Sequence, residues 1–512
     1  MKFGPIEIRF NRNGAEATEA VRPVRRRGPR FHGRAFGSTS SSNLYQGFKG
    51  TSASINEDLI NGLRTLRYRS RQLCQDNDYA CKFLNLVSAN IVGNQGIRLQ
   101  SLATGRAGEP DEDARTGIEE AWSRWGKRGV CDVTGRLSWL DVQRLVAETL
   151  GRDGEVLVVH HEGYDNEFGY ALQVLECDRL NETLNVRLDN GNRIIMGVEH
   201  DQFGKPVAYH LMTNHPGDGA WQHRNYWYDR YEASRILHIF VVKRPEQCRG
   251  YPWLTSAMLR LDMLHGYEEA EWTAARVAAC KMGVVKTPSG DEFTGDAVDT
   301  DGALIDDLEP GSWRQLPEGQ DFDMFDPTHP NTAYSDFIKG VLRGAAAGMN
   351  VSYNGLANDL EGVNFSSIRA GVLDERDQWR VLQSFVSEAL CDRVFRVWLG
   401  HALTSGGLVL PPAVDHVTDA KWVARGWPWV DPVRDIDAAA RGIELGISTR
   451  TDAAAAQGRD FNDIVKRLQE EEKILVEAGL KPDNTMAPSP EDESPDEEPD
   501  EDDAEDDPQD ES

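Results

Sequence analysis

NTAYSDFIKGVLRGAAAGMNVSYNGLANDLEGVNFSSIRAGVLDERDQWRVLQSFVSEALCDRVFRVW, residues 331–398, decides how the chain is read: a short helix, a glycine-punctuated loop and a long helix. Phe337, Ile338, Val341, Leu342 and Ala345 fall on one side of a helical period, and Asp336, Lys339 and Arg343 share the other. That pattern predicts an amphipathic helix over 331–348. Beyond Gly348 the period is lost, and Gly355, Gly362 and four asparagines over 349–365 predict a loop. Ser366 or Ser367 then caps a second helix, with Ile368, Val372, Trp379, Leu382, Val386, Leu390, Val394 and Trp398 at helical spacing. Such a helix runs about 50 Å. It outgrows a single core and reads as a spine.

Towards the amino terminus, residues 283–330 interrupt the helices with strand-like GVVK, turn-rich LEPGSWRQLPEG and DFDMFDPTHP, which predicts a compact β-containing insertion. Before it, Pro252 opens a helix over 253–282 that becomes alanine-rich at Ala270, Ala274, Ala275, Ala278 and Ala279, suited to close approach of a neighbouring helix. From Gly154 the period changes. Residues 155–161, 171–177, 194–200, 206–212 and 235–242 are short β-branched runs with a hairpin turn at 201–204, which predicts an antiparallel sheet. Helical patterning fills 55–93, a further helix carries Trp122 and Trp125, and another spans 139–150. After the spine come a mixed region holding Trp422, Trp427 and Trp429 and a helical end over 435–480. The fold class is α+β, without internal repeats.

The chain has 512 residues, 39% of them hydrophobic, enough for a substantial core in two to four units. Its net charge is −28, and sixteen acidic residues with no base fall after Lys481, so 481–512 reads as a disordered acidic tail. Residues 1–50 are the opposite: Arg22, Arg25, Arg26, Arg27, Arg30 and Arg34 make a basic arm. Seven scattered cysteines without a CxxC pair predict reduced thiols in a cytosolic protein. No secretory leader or long apolar run is present, so neither export nor membrane insertion is expected.

Catalytic signatures are missing. There is no HExxH, GxSxG or GxGxxG, and GPRFHGR at 28–34 lacks the Lys-Ser/Thr pair of a phosphate-binding loop. His160 and His161 lie on a predicted strand, where a ring is packed or solvated rather than bound to a metal, and Asp321, Asp323 and Asp326 lack the glycine and distal glutamate of a calcium loop and read as a solvated loop. Arg64, Arg67 and Arg71 share one helical face, read as solvated or bridging subunits, with phosphate or an acidic neighbour as the functional reading.

Taken in order, these stretches resemble the portal proteins of tailed bacteriophages, specifically the lambda-type portal family. The likeness is carried by LRTLRYRSRQLCQDNDYACKFLNLVSANIVGNQGIRLQ (63–100), CDVTGRLSWLDVQRLVAETLGRDGEVLVV (131–159), LQVLECDRL (172–180), ILHIFVVKRPEQCRGYPWL (236–254), LEPGSWRQLPEG (308–319) and GMNVSYNGLANDLEGVNFSSIRAG (348–371). It implies a portal fold: an antiparallel-sheet wing with helices over 51–250, a stem helix over 251–282, a small clip over 283–330, a second stem helix over 331–348, a tunnel loop over 349–365, a long spine and wing–crown junction over 366–430, and a helical crown over 431–480. It also implies a homo-oligomeric ring, usually of twelve subunits, at one capsid vertex, passing double-stranded DNA inward for packaging and outward at ejection. The implied partners are the terminase large subunit, a head–tail adaptor on the clip, and the major capsid and scaffolding proteins. The implied location is the virion after assembly in the host cytoplasm, with no membrane, cofactor, metal or catalytic residue.

On that reading Lys281, Lys339 and Arg343 are the candidate cationic contacts with DNA, repeated around a ring as belts of charge, unless they pair with acids across subunits. The tunnel loop offers Tyr353, Asn354, Asp359, Leu360, Glu361 and Asn364 rather than a basic clamp, and its glycines let it move. The alternative from another class is a nucleic-acid-binding virion assembly protein acting through its basic N-terminal arm.

Overall fold

In the computed structural model, residues 53–218, 228–279, 283–286, 321–324, 333–361, 365–412, 414–428 and 431–478 are described. The chain divides into Met1–Ser54 and Ile55–Ser512, and the elements below belong to the second unit. Arm 1–50, tail 481–512 and residues 287–320 and 325–330 of the insertion lie outside the described residues.

Helix α1 (Ile55–Asp76) stops where Asn77 accepts from the backbone N–H groups of Tyr79 and Ala80 and so caps α2 (Asp78–Ile91). Short strands β1 (Arg98–Ser101) and β2 (Thr104–Gly105) lead to α3 (Glu112–Trp125) and then α4 (Trp139–Asp153), which opens on a Ser138–Asp141 capping box. Helix α4 ends at Gly154, in the left-handed region with φ 86°. A Cβ there would lie 2.0 Å from the carbonyl carbon of Tyr251, so conformation and space both demand glycine.

Beyond Gly154 the chain enters β3 (Glu155–Glu162), which pairs antiparallel with β4 (Tyr170–Leu175). Strands β5 (Val186–Arg187), β6 (Arg193–Ile195), β7 (Val198–His200), β8 (Pro206–Met212) and β9 (Tyr228–Glu232) follow as a five-stranded antiparallel sheet in chain order. Then β10 (Ile236–Phe240) returns to the free edge of β3, giving the order β10-β3-β4. The expected single strand over 194–200 is corrected here. Met196 and Gly197 take positive φ (47° and 82°) and fold that run into the β6–β7 hairpin. Likewise Cys177 leaves the expected strand 171–177 for a 3-10 turn, Cys177–Arg179.

Strand β3 is buried on both faces. Val156 and Val158 enter the main core, while Leu157 and Val159 enter a second one with Cys177, Leu180, Val198, Tyr209, Leu211 and Ile236. At the centre of the main core, Trp122 packs 4.7 Å from Trp125, 4.9 Å from Trp398 and 5.6 Å from Phe395, ring centre to ring centre.

Pro252 precedes a 3-10 turn, Trp253–Ser256, rather than the α-helix itself, which is α5 (Met258–Ala279). An antiparallel pair, β11 (Gly283–Lys286) and β12 (Asp321–Met324), is what is described of the predicted insertion. Small residues of the next helix, α6 (Tyr334–Met349), make a close approach to the start of α5, whereas Ala270 and Ala274 of α5 are exposed. At Gly344 a Cβ would fall on the Arg260 guanidinium, and Ser256 donates to the Gly348 carbonyl at 2.6 Å.

Within the expected loop 349–365 stands one short helix, α7 (Tyr353–Ala357). The expected single α-helix over 366–398 is a longer run: α8 (Phe365–Val386), a π-helical turn Ser387–Asp392, and α9 (Arg393–Ser405). The wider turn buries consecutive Leu390 and Cys391. Strands β13 (Val414–Asp415) and β14 (Ala420–Val423) pair back onto β2 and β1. Last come α10 (Pro432–Glu444), α11 (Arg450–Ala456) and α12 (Phe461–Glu477), in which no residue is buried. Among the described residues no helix is long and apolar enough to cross a membrane. The cysteines described, Cys74, Cys81, Cys131, Cys177, Cys248 and Cys391, are free.

Candidate functional site

Two left-handed asparagines shape the segment after α6. Asn350 (φ 58°) ends that helix and its side-chain amide donates to Gln378 on α8 at 3.2 Å. Asn358 (φ 52°) ends α7, which Ser352 caps by accepting from the Gly355 N–H at 3.1 Å. Asparagine tolerates this conformation because its short polar side chain bonds locally. Between the two bends, buried Leu356 anchors α7 and Tyr353 turns back towards α6.

There the predicted residues meet. The Tyr353 hydroxyl donates to Asp359 Oδ2 at 2.7 Å, and the Arg343 guanidinium carbon lies 5.4 Å from the Tyr353 ring centre. Asp359 Oδ1 accepts from the Glu361 N–H at 3.0 Å. One turn before Arg343, Lys339 Nζ lies 3.2 Å from Glu361 Oε2 and 3.7 Å from Asp359 Oδ2. The hydrogen bond to Glu361, then the charge of Asp359, raise the Lys339 ammonium above its ordinary range. The bond from Tyr353 is the main reason that Asp359 is lowered, while burial and that same bond push Tyr353 up to about 12.

Two cations on one face of α6 thus meet two carboxylates from the following segment. Lys339 finds its acids within its own chain. Leu360 (67% exposed) and Glu361 remain at the surface, Asn354 is half-buried on α7 outside the cluster, and Lys281 and Asn364 lie outside the described residues. Because Glu361 is largely exposed, its bond to Lys339 is weak and readily exchanged with solvent ions.

A second charged constellation corrects the expectation for the arginine face of α1. Arg64 is exposed, over Tyr68, but Arg67 is fully buried, 3.1 Å from Glu155 Oε1, 3.1 Å from Asp178 Oδ1 and 3.3 Å from Glu182 Oε1. Arg71 forks onto Asp153 at 2.9 Å and reaches Asp178 at 2.6 Å. Arg249 donates to both oxygens of Glu155 and to the carbonyls of Cys177 and Met196. Burial by itself would raise the Glu155 carboxyl, but Arg249 and His238 hold it well below the carboxylate range. The sequence signal was a glutamate heading an apolar strand, EVLVV, a charge that a two-faced buried strand must pair.

Glu155, Cys177 and His238 converge as a metal site would require, as do Glu176, Asp178 and His215. In the first group Arg67 and Arg249 already stand where a cation would, and burial pushes the Cys177 thiol well up, towards its neutral form. In the second, Asp178 is engaged by Arg67 and Arg71. Buried His160 has its Nδ1 2.5 Å from the Tyr170 hydroxyl, while half-buried His161, next along β3, has its Nε2 2.9 Å from Gln173 Oε1. Asp321 and Asp323 fall on β12, and Asp326 lies outside the described residues.

The family model described as phage portal protein, lambda family, matches residues 41–383. The probable portal protein of Halomonas phage phiHAP-1 is 40% identical over 423 residues, 81% of this chain and 81% of that protein. Portal protein B of Escherichia phage lambda is 23% identical over 500 residues, covering 88% of this chain and 91% of its own length. Among solved structures, a chain from the neck of an empty gene transfer agent particle, computed with C6 symmetry, aligns with a TM-score of 0.45 and 14% identity, over 78% of this chain and 94% of that one.

Proposed function

Because this chain belongs to the lambda family of phage portal proteins, components of the virion at its head–tail connection, we propose that its copies close into a ring, with α5 and α6 lining a channel for double-stranded DNA and residues 349–365 narrowing it. The observation that carries this reading is the seat of the narrowing segment. Tyr353, Asp359 and Glu361 hold it against the Lys339 and Arg343 face of α6, with Leu360 projecting.

A conduit must let DNA slip. Some six to ten phosphate contacts already make a tight, salt-sensitive complex. With Lys339 held by two carboxylates and Arg343 over a phenol ring, passing phosphates meet a balanced surface instead of a clamp. The ring also gives a use to apolar side chains that the single chain leaves bare: Leu259 and Met263 on α5 and Val381 on α8 are each about two-thirds exposed. Neighbouring copies, twelve in the full ring, cover them.

In this arrangement residues 51–250 form the wing, 283–330 the clip that receives the terminase large subunit and later the head–tail adaptor, and 431–480 the crown, with the major capsid and scaffolding proteins around the vertex. Assembly takes place in the host cytoplasm. The protein contributes passage and docking, without a catalytic residue or cofactor of its own; the work of packing comes from the terminase motor. Native mass measurement and negative-stain microscopy of the purified full chain test this. A closed ring with a pore wide enough for a duplex is expected, and a particle without such a pore overturns the reading.

A further inference from the structure

Three guanidiniums surround one indole where α8 meets the segment after β14. The guanidinium carbons of Arg376, Arg380 and Arg425 lie 5.7, 5.7 and 6.0 Å from the centre of the Trp427 ring. Arg380 pairs with Asp377 at 2.6 Å, an exposed bridge within one turn of α8. The other two bind neutral oxygens: Arg376 the Pro428 carbonyl at 3.2 Å, and Arg425 the Ala89 carbonyl and the Asn90 side-chain oxygen.

Among the described residues no carboxylate forms an ion pair with Arg376 or Arg425, and the buried Nε of Arg376 has no hydrogen-bond partner. Burial, then the charges of Arg380 and Arg425, lower Arg376 from its ordinary value. Asp431 and Asp435, at the start of α10, face Arg369. Asp377 offsets one of the three charges and Asp435 acts on Arg376 from a distance, so the cluster keeps an excess of positive charge beside an orphaned donor and an aromatic wall, a combination that suits an anion of more than one charge.

We propose that this site docks the acidic carboxy-terminal segment of this same chain, residues 491–511, whose carboxylates bridge Arg376, Arg380 and Arg425. That segment holds fifteen acids and no base. It is also within reach. Gly426 abuts the α11–α12 corner so closely that a Cβ on it would lie 2.0 Å from the Gln457 carbonyl carbon, which puts the cluster beside the root of α12. The 17 residues of α12 carry the chain about 25 Å away. A chain of about 20 residues reaches about 65 Å at full extension, more than the length of α12 that it must retrace, so acids near position 500 are on a long enough tether to return to the cluster. Tethering places them there at about millimolar effective concentration. Free DNA has no such advantage and approaches a chain of net charge −28.

The test compares the full chain with a full-length Arg376→Gln, Arg380→Gln, Arg425→Gln triple variant under glutamate-specific protease at low salt. Cleavage at Glu491, Glu493, Glu497, Glu498, Glu501, Glu505 and Glu511 is expected to be about fivefold slower in the parent. The protection should vanish in the variant, and in the parent at about 0.5 M salt. Should the triple variant misfold, a full-length chain with the acids of 491–511 changed to amides leaves the arginines intact. A labelled 491–511 peptide is then expected to bind that chain and not the parent. Equal cleavage of parent and triple variant, or equal peptide binding by parent and amide chain, overturns the proposal. So does a 20-base-pair duplex probe that binds parent and amide chain equally and loses the triple variant, which assigns the cluster to nucleic acid.

Discussion

Arg249 grips Glu155 with a bidentate pair of bonds, Nη2 to Oε1 at 2.6 Å and Nε to Oε2 at 2.9 Å, and neither side chain is exposed to solvent. The carboxylate also takes Arg67 at 3.1 Å and His238 at 3.0 Å, so one group at the start of β3 ties α1 to β10 and to the segment that follows it. Breaking such a pair leaves a buried charge uncompensated. Arg249→Met is expected to cost about 3–5 kcal/mol, read as a lower denaturation midpoint. A loss below about 1 kcal/mol would mean that the network is not intact in solution.

Gly154→Ala tests the joint beside it. The substitution asks alanine to hold φ 86° and places its Cβ 2.0 Å from the Tyr251 carbonyl carbon. Backbone strain alone costs about 1–3 kcal/mol, and here the obstacle is main chain that no rotamer change can move. Insoluble protein, or one melting well below the parent, is expected; a melting curve that overlays the parent's would refute this geometry.

Much of this was legible in advance, for a reason that names its own limit. Helical and strand periods are local, so the helices and the core strands could be read from neighbours in sequence. Charge pairing is not local: Arg67 and Glu155 are far apart in the chain, and nothing beside Arg67 distinguishes it from exposed Arg64 and Arg69. The hairpin at Met196 escaped for another reason, since a non-glycine residue at positive φ leaves no compositional mark. β9 (YDRYE) has little apolar alternation and exists by pairing with β8. Of the candidate site, the cations and acids were evident but their mutual engagement was not, because it depends on two asparagine bends.

His160 gives a pH dependence. Burial first, then the charge of Arg393, holds its imidazole down to about 4, against an ordinary value of about 6.5. Because the folded value is the lower one, the unfolded chain takes up this proton more readily. The contribution is complete above about pH 6.5 and is lost as the pH falls towards 4, about 3 kcal/mol in all. His160→Gln should flatten the stability profile over that window while lowering stability at neutral pH. Unfolding midpoints with the same slope between pH 4 and 6.5 in parent and variant would show that the ring is not held neutral.

At the proposed constriction, charge balance and not shape is what the Lys339 pairings control. Glu361→Gln together with Asp359→Asn removes both carboxylates that face Lys339 and leaves the Tyr353 hydroxyl an amide oxygen to donate to. If the segment lies in a DNA path, each copy then exposes an unpaired cation to passing phosphates, and repetition around the ring multiplies the effect. Affinity for a short duplex at about 50 mM salt should rise several-fold, with a steeper fall of binding towards about 200 mM. Tyr353→Phe loosens the segment without altering its charge, so it should leave the salt dependence where it was. Filter binding of duplex to the purified assembly separates these outcomes: an unchanged slope in the double variant would mean that Lys339 does not face DNA, whatever the fold around it.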